Sequence, residues 1–107
     1  MASFYKNAKV DLTSTDVTTL YTAPAATTAI FKSLVVADDS GSTSTITVTI
    51  TDSATAVFVV YNVKATAANG TLELLTQPLV VQESEILKVT AANANRLHVI
   101  GSYLELT

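Results

Sequence analysis

Thr45-Ile46-Thr47-Val48-Thr49-Ile50-Thr51 is the stretch that decides the fold class. Aliphatic residues occupy every even position and threonine every odd one, the period of a strand with one buried and one solvated face. All seven residues are β-branched, which disfavours a helix and suits a pleated sheet. A one-residue slip would bury four threonines and expose three aliphatics, so the register is expected to be firmly set. Threonine rows also occur on ice-binding faces. Those need several rows side by side, and the alternation here is that of any one-sided strand.

The same reading extends outward in both directions. Upstream, Asp38-Asp39-Ser40-Gly41-Ser42 is a cluster of turn formers. It is expected to make a hairpin between this strand and a preceding one over residues 28–37, where Ile30, Phe31, Leu34, Val35 and Val36 make both faces apolar. Downstream of Asp52-Ser53, Val57-Phe58-Val59-Val60-Tyr61 is also apolar on both faces. Such strands belong in the middle of a sandwich or against another subunit. Asn69-Gly70 supplies a turn, and short strands follow over 71–75 and 79–81, broken at Gln77-Pro78 because proline cannot donate to a ladder. Further strands are expected over 85–90 and 97–106, with earlier ones over 9–12 and 17–21. In the last strand Leu97, Val99 and Tyr103 share one face, and Ile100, Leu104 and Leu106 the other. Gly101 in mid-strand signals a bulge or a close backbone approach. Only Lys64–Ala68 offers a helical turn, too short to be stable alone.

About eight short strands with turns every 8–12 residues predict an antiparallel β-sandwich, jelly-roll-like or immunoglobulin-like. At 107 residues the chain is expected to be one domain, residues 1–107.

Composition narrows the function. Hydrophobic residues are 49% and charged residues only 14%, against about 25% in ordinary soluble domains. Neutral or apolar surface must therefore face outward, and a subunit interface is the simplest place for it. The net charge of −3 and six scattered cations argue against nucleic-acid binding. There is no cysteine for disulfide or thiolate chemistry. No apolar run reaches the ~18 residues of a membrane helix. The opening residues lack an apolar signal-peptide core, so synthesis in a cytoplasm is expected.

Catalysis has little to work with. His98 lies within the last strand, with no G-x-S-x-G elbow to pair with it, and reads as a strand or interface histidine. Asp38-Asp39-Ser40-Gly41 lacks the alternating ligands and closing glutamate of a calcium loop. Glu83 and Glu85 read as surface charges, and the three glycines are too dispersed for a phosphate loop. The expectation is a non-enzymatic protein without metal or cofactor. Phe4, Tyr5, Phe58 and Tyr61 are the candidate interface residues, since aromatics are common anchors. Residues 1–9 are the candidate docking arm, whose removal over residues 1–6 would leave a folded domain unable to attach. The alternative is that Phe4 and Tyr5 close one end of the sandwich.

A resemblance adds to this reading. Tyr21-Thr22-Ala23-Pro24-Ala25, then Thr28-Ala29-Ile30-Phe31-Lys32-Ser33-Leu34-Val35-Val36-Ala37, resembles a pattern in small virion proteins of tailed bacteriophages. Asn69-Gly70-Thr71-Leu72-Glu73-Leu74-Leu75, Pro78–Val81, Glu85–Ala91 and Ser102–Leu106 continue it. It covers most of the chain from Val17 onward and rests on the cadence of strands and turns. The resemblance implies a structural protein of the virion, often trimeric: a capsid decoration or cement protein bound between major capsid subunits. A tail, neck or fibre-associated component is the alternative. A carbohydrate-binding sandwich is a third class, disfavoured because tryptophan is absent and aromatics are 7%.

Overall fold

The computed structural model describes residues 2–107. Nine strands run in chain order: β1 (Ser3–Leu12), β2 (Thr18–Thr22), β3 (Thr28–Asp38), β4 (Ser44–Thr51), β5 (Val57–Thr66), β6 (Thr71–Glu73), β7 (Leu79–Val81), β8 (Ile86–Ala91) and β9 (Leu97–Leu106). They form two sheets, and every pairing is antiparallel. The first sheet has the order β1-β9-β3, with β6 and β7 sharing the far edge against β3; the second has the order β2-β8-β4-β5.

The pairings are nested. β4 meets β5 across a short turn, β3 meets β6 and β7, β2 meets β8, and β1 meets β9. A chain folded back at the β4–β5 turn and wrapped around two layers gives this order, which is the jelly roll and not the immunoglobulin-like alternative. β6 and β7 are one edge strand interrupted. β6 pairs with Val35–Ala37 and β7 with Ala29–Phe31, and the break falls at the Gln77-Pro78 step.

Burial follows the alternation of the sequence. Ile46 and Val48 are fully buried while Thr45, Thr47 and Thr49 are half-exposed, so these threonines face solvent; at the end of the strand Ile50 is half-buried and Thr51 is buried. Phe31, Leu34, Val36, Leu87, Val89, Leu97 and Val99 complete the centre of the core. Irregular positions are where the alternation is broken on purpose. A bulge in β2 after Thr19 turns both Leu20 and Tyr21 inward. A bulge in β3 between Phe31 and Ser33 keeps Phe31 and Leu34, three residues apart, on the same inner face.

Several expectations are corrected here. The turn at residues 38–42 does not close a hairpin: β3 and β4 lie in different sheets, so the chain crosses between layers there. Residues 3–9 are not a free arm but the first part of β1, paired rung by rung with β9. β5 is an edge strand, not a central one, with Val57, Phe58 and Val59 all exposed. Among the described residues nothing covers the apolar outer faces of β3 and β9. Residues 64–68 form the end of β5 and a turn, with no helical turn.

At one end of the core Phe31 stacks on Tyr103 at 4.8 Å between ring centres and meets Tyr21 edge-on at 5.4 Å. Gly101, on the inner face of β9, is the reason this fits. A Cβ there would lie 2.6 Å from the Phe31 ring, so the mid-strand glycine marks a close approach. Gly101→Ala is expected to destabilise the fold by about 1–3 kcal/mol, since the fully buried ring has no room to yield. Urea unfolding measures this.

Candidate functional site

The four aromatic candidates do not converge. Phe4 and Tyr5 lie on β1, at one edge of the first sheet; Phe58 and Tyr61 lie on β5, at an edge of the second. β1 stacks over β2, and β5 is the edge of its sheet away from β2, so the two pairs sit on opposite sides of the sandwich. Successive residues on a strand face opposite ways. Phe4 therefore sits opposite Glu105 on the inner side, at the open end, with the Lys6 ammonium 5.8 Å from its ring centre. Tyr5 points outward opposite Leu104 and is 80% exposed.

The two outer faces differ in chemistry. On the second sheet Thr47, Thr49, Thr51, Lys88 and Thr90 form a polar floor, flanked by Val17 and Val57. On the first sheet Ile30, Val35, Val80, Ile100 and Leu104 face out, half-buried or exposed. These aliphatics were visible in the sequence as the second apolar face of two strands. That two strands apolar on both sides belong to one sheet, uncovered on one side, required the topology.

β5 is the other uncovered element. Residues 57–63 carry no charge, proline or glycine, the composition of a strand edge prone to pairing. Two irregularities blunt it: β5 is out of register with β4 between Tyr61 and Lys64 and between Val59 and Tyr61. Val63 adopts φ 50°, unusual for a β-branched residue, while its N–H donates to Thr47 Oγ1 at 3.1 Å.

The polar clusters serve the fold. Glu105 is buried on the inner face of β9, where its Oε1 accepts from Lys6 Nζ at 2.8 Å and its Oε2 from the Tyr21 hydroxyl at 2.7 Å. This ties the two sheets together beneath the aromatic cluster. The hydrogen bonds from Lys6 and then Tyr21 outweigh burial and hold the Glu105 carboxyl below its ordinary value of 4.5. Burial, with the same hydrogen bond, pushes the Tyr21 phenol up. Glu73 spans the gap between β6 and β7. Its carboxylate accepts from Ser33 Oγ, from Leu34 N at 2.7 Å and from Leu75 N at 3.3 Å. Burial raises its carboxyl, but those three hydrogen bonds prevail and leave it lowered.

His98 lies on the outer face with Nε2 3.2 Å from Asp11 Oδ1 and Nδ1 3.8 Å from Asp39 Oδ2. The two carboxylates address opposite ring nitrogens. Asp38 Oδ1 accepts from Ser40 N and Ser40 Oγ, the hydrogen bonds of a tight turn, while its Oδ2 is buried without a partner. Among the described residues no three His, Asp or Glu side chains come together as a metal site. Glu83 is exposed and Glu85 half-buried, its Oε1 accepting from Gln82 N.

No family model matches the chain, and no curated protein matches it. A solved capsid protein has this fold. It is a pentameric protein isolated from metagenomic phage sequences, with TM-score 0.50 and 18% identity over 92% of this chain. The match spans 58% of that protein's length. At this identity the likeness is one of fold.

Because both glutamates are lowered on folding, their contribution is fully present above the ordinary carboxylate value and is lost as pH falls through the folded one. Stability is expected to drop below about pH 4.5, where the unfolded chain takes up more protons. Glu105→Gln should cost about 1–3 kcal/mol at pH 7, because it leaves one of two donors poorly met, and should flatten that acid slope. Thermal melts between pH 3 and 7 check both.

Proposed function

We propose that the protein is a non-enzymatic structural component of a bacteriophage virion, a capsid decoration or cement protein that binds between major capsid subunits. The observation that carries this reading is the likeness in fold to a pentameric phage capsid protein, at TM-score 0.50 over 92% of this chain. Three features support it. Charge is scarce, at 14% of residues, as suits a surface held permanently in an assembly. The outward aliphatics of the first sheet and the uncharged edge of β5 supply apolar contact area on two sides. The titratable clusters are spent on holding the fold. Repeated copies on a lattice would add avidity to each modest contact.

In this reading the protein self-associates and docks by its strand surfaces. Tyr5 on β1 is one anchor, and Phe58 with Tyr61 on β5 is the other. Tyr5→Ser and Phe58→Ser tests the anchors better than deleting residues 1–6, which also removes the Lys6 partner of Glu105. A tail, neck or fibre position would use the same surfaces and differs only in where in the particle they dock.

The test is to purify particles of the phage that encodes the chain and locate the protein with antibody and mass spectrometry. Copies spread over the head are expected, falling at least tenfold with the double variant. Labelling confined to the tail supports the alternative position. A chain absent from particles and left in the soluble lysate refutes the virion reading.

A further inference from the structure

The outer face of the first sheet carries a pattern that fits a second copy of itself. Backbone register sets Tyr5, Leu104, Ile30 and Val80 opposite one another, one row across four strands. Further along, Lys9, Ile100, Val35 and Glu73 form a parallel row. The second row has a cation at one end, a carboxylate at the other, and two aliphatics between them. The β3 bulge is what brings Ile30 and Val35, five residues apart, onto the same face.

We infer that two copies pack through this face about a two-fold axis that lies parallel to the strands, midway between β9 and β3. Such an axis exchanges the two ends of each row. Lys9 of one copy then faces Glu73 of the other, and the reverse contact forms at the same time. Leu104 lies over Ile30, Ile100 over Val35, and Tyr5 over Val80. Lys32, the residue at the β3 bulge, lines a cleft with Asn7 and Ser102, whose side-chain oxygens can accept. Lys9 has only Asn7 Oδ1, at 3.4 Å, among the described residues. A carboxylate has about four acceptor sites, and Glu73 uses three, so one remains for an incoming ammonium. An unrelated partner would need to supply this complementarity; a copy already carries it.

The size of the face sets the strength. Four strands at ~4.8 Å spacing and ten residues at ~3.3 Å give a footprint of ~600 Å² per copy. The total of ~1,200 Å² stands at the low end of specific interfaces, so the dimer should dissociate on dilution. The inference concerns self-association alone. It stands whether or not the protein is found in virions.

The experiment is sedimentation of the purified chain across a hundredfold range of concentration, with secondary structure followed by circular dichroism. Twice the chain mass is expected at high concentration and the chain mass at low. Leu104→Lys should be monomeric throughout, and Ile100→Lys, at a site already 42% exposed, repeats the test should the first variant unfold. Lys9→Glu should weaken association at least tenfold at low salt and less at high salt, because it sets like charges together. Val59→Lys, on the β5 edge, should leave the dimer intact. A monomer at every concentration, a trimer or pentamer, or a dimer that survives both lysine variants overturns the inference. So does dissociation by Val59→Lys alone.

Discussion

The ladder between β3 and β9 is the constraint on which the rest of the molecule depends. It runs from the Thr28–Leu106 pair to the Asp38–Leu97 pair, joining the first third of the chain to its last ten residues. Once these strands pair, β1 has only one open edge of β9 to join, and β6 and β7 only the far edge of β3. The inner faces of β3 and β9 supply Phe31, Leu34, Val36, Leu97 and Val99, the floor on which the second sheet lies. Of the nested pairs only β4–β5 is closed by a short turn. The others close long loops, so local propensity alone cannot order them.

A charge-assisted hydrogen bond between the layers lies beside this ladder. Glu105 reaches Lys6, 99 residues away, within the first sheet, and Tyr21, 84 residues away, on the second. A buried carboxylate is tolerable only when its oxygens are met, and both are. The aromatic trio of Tyr21, Phe31 and Tyr103 seals the same end, and it packs because Gly101 presents no side chain to Phe31. Glu73 does comparable work at the interrupted edge, where its carboxylate takes hydrogen bonds that a continuous strand would have met with its backbone.

The low charge of the chain is explained by where the apolar residues go. The core is closed, yet β3 and β9 keep a second set of aliphatics, and β5 a run of valines, on the outside. The threonine face of the second sheet shows that the same protein makes a wet surface where it needs one. Exposed apolar surface is therefore localised to the outer face of one sheet and to one edge of the other. The exposed aromatics Tyr5 and Phe58 lie on opposite sides of the sandwich.

Sequence periodicity by itself determined the all-β class, the alternation of β4, the turns at 38–42 and 69–70, and the span of β9. These depend on neighbours along the chain, and a strand's period of two can be read from any seven residues. It also flagged Gly101, because a glycine within a strand has few other reasons to be there. Only the tertiary structure decided which strands are central and which are edges, because pairing is a relation between distant segments that leaves no local mark. Thus Val57–Tyr61 read as central or as lying against another subunit and forms an edge, while residues 3–9 read as an arm and form a strand. Bulges, which reverse the facing of Tyr21 and align Ile30 with Val35, are likewise set by the partner strand. The candidate surface was half legible for the same reason: the outward aliphatics were countable residue by residue, but the rows they form belong to the register between strands.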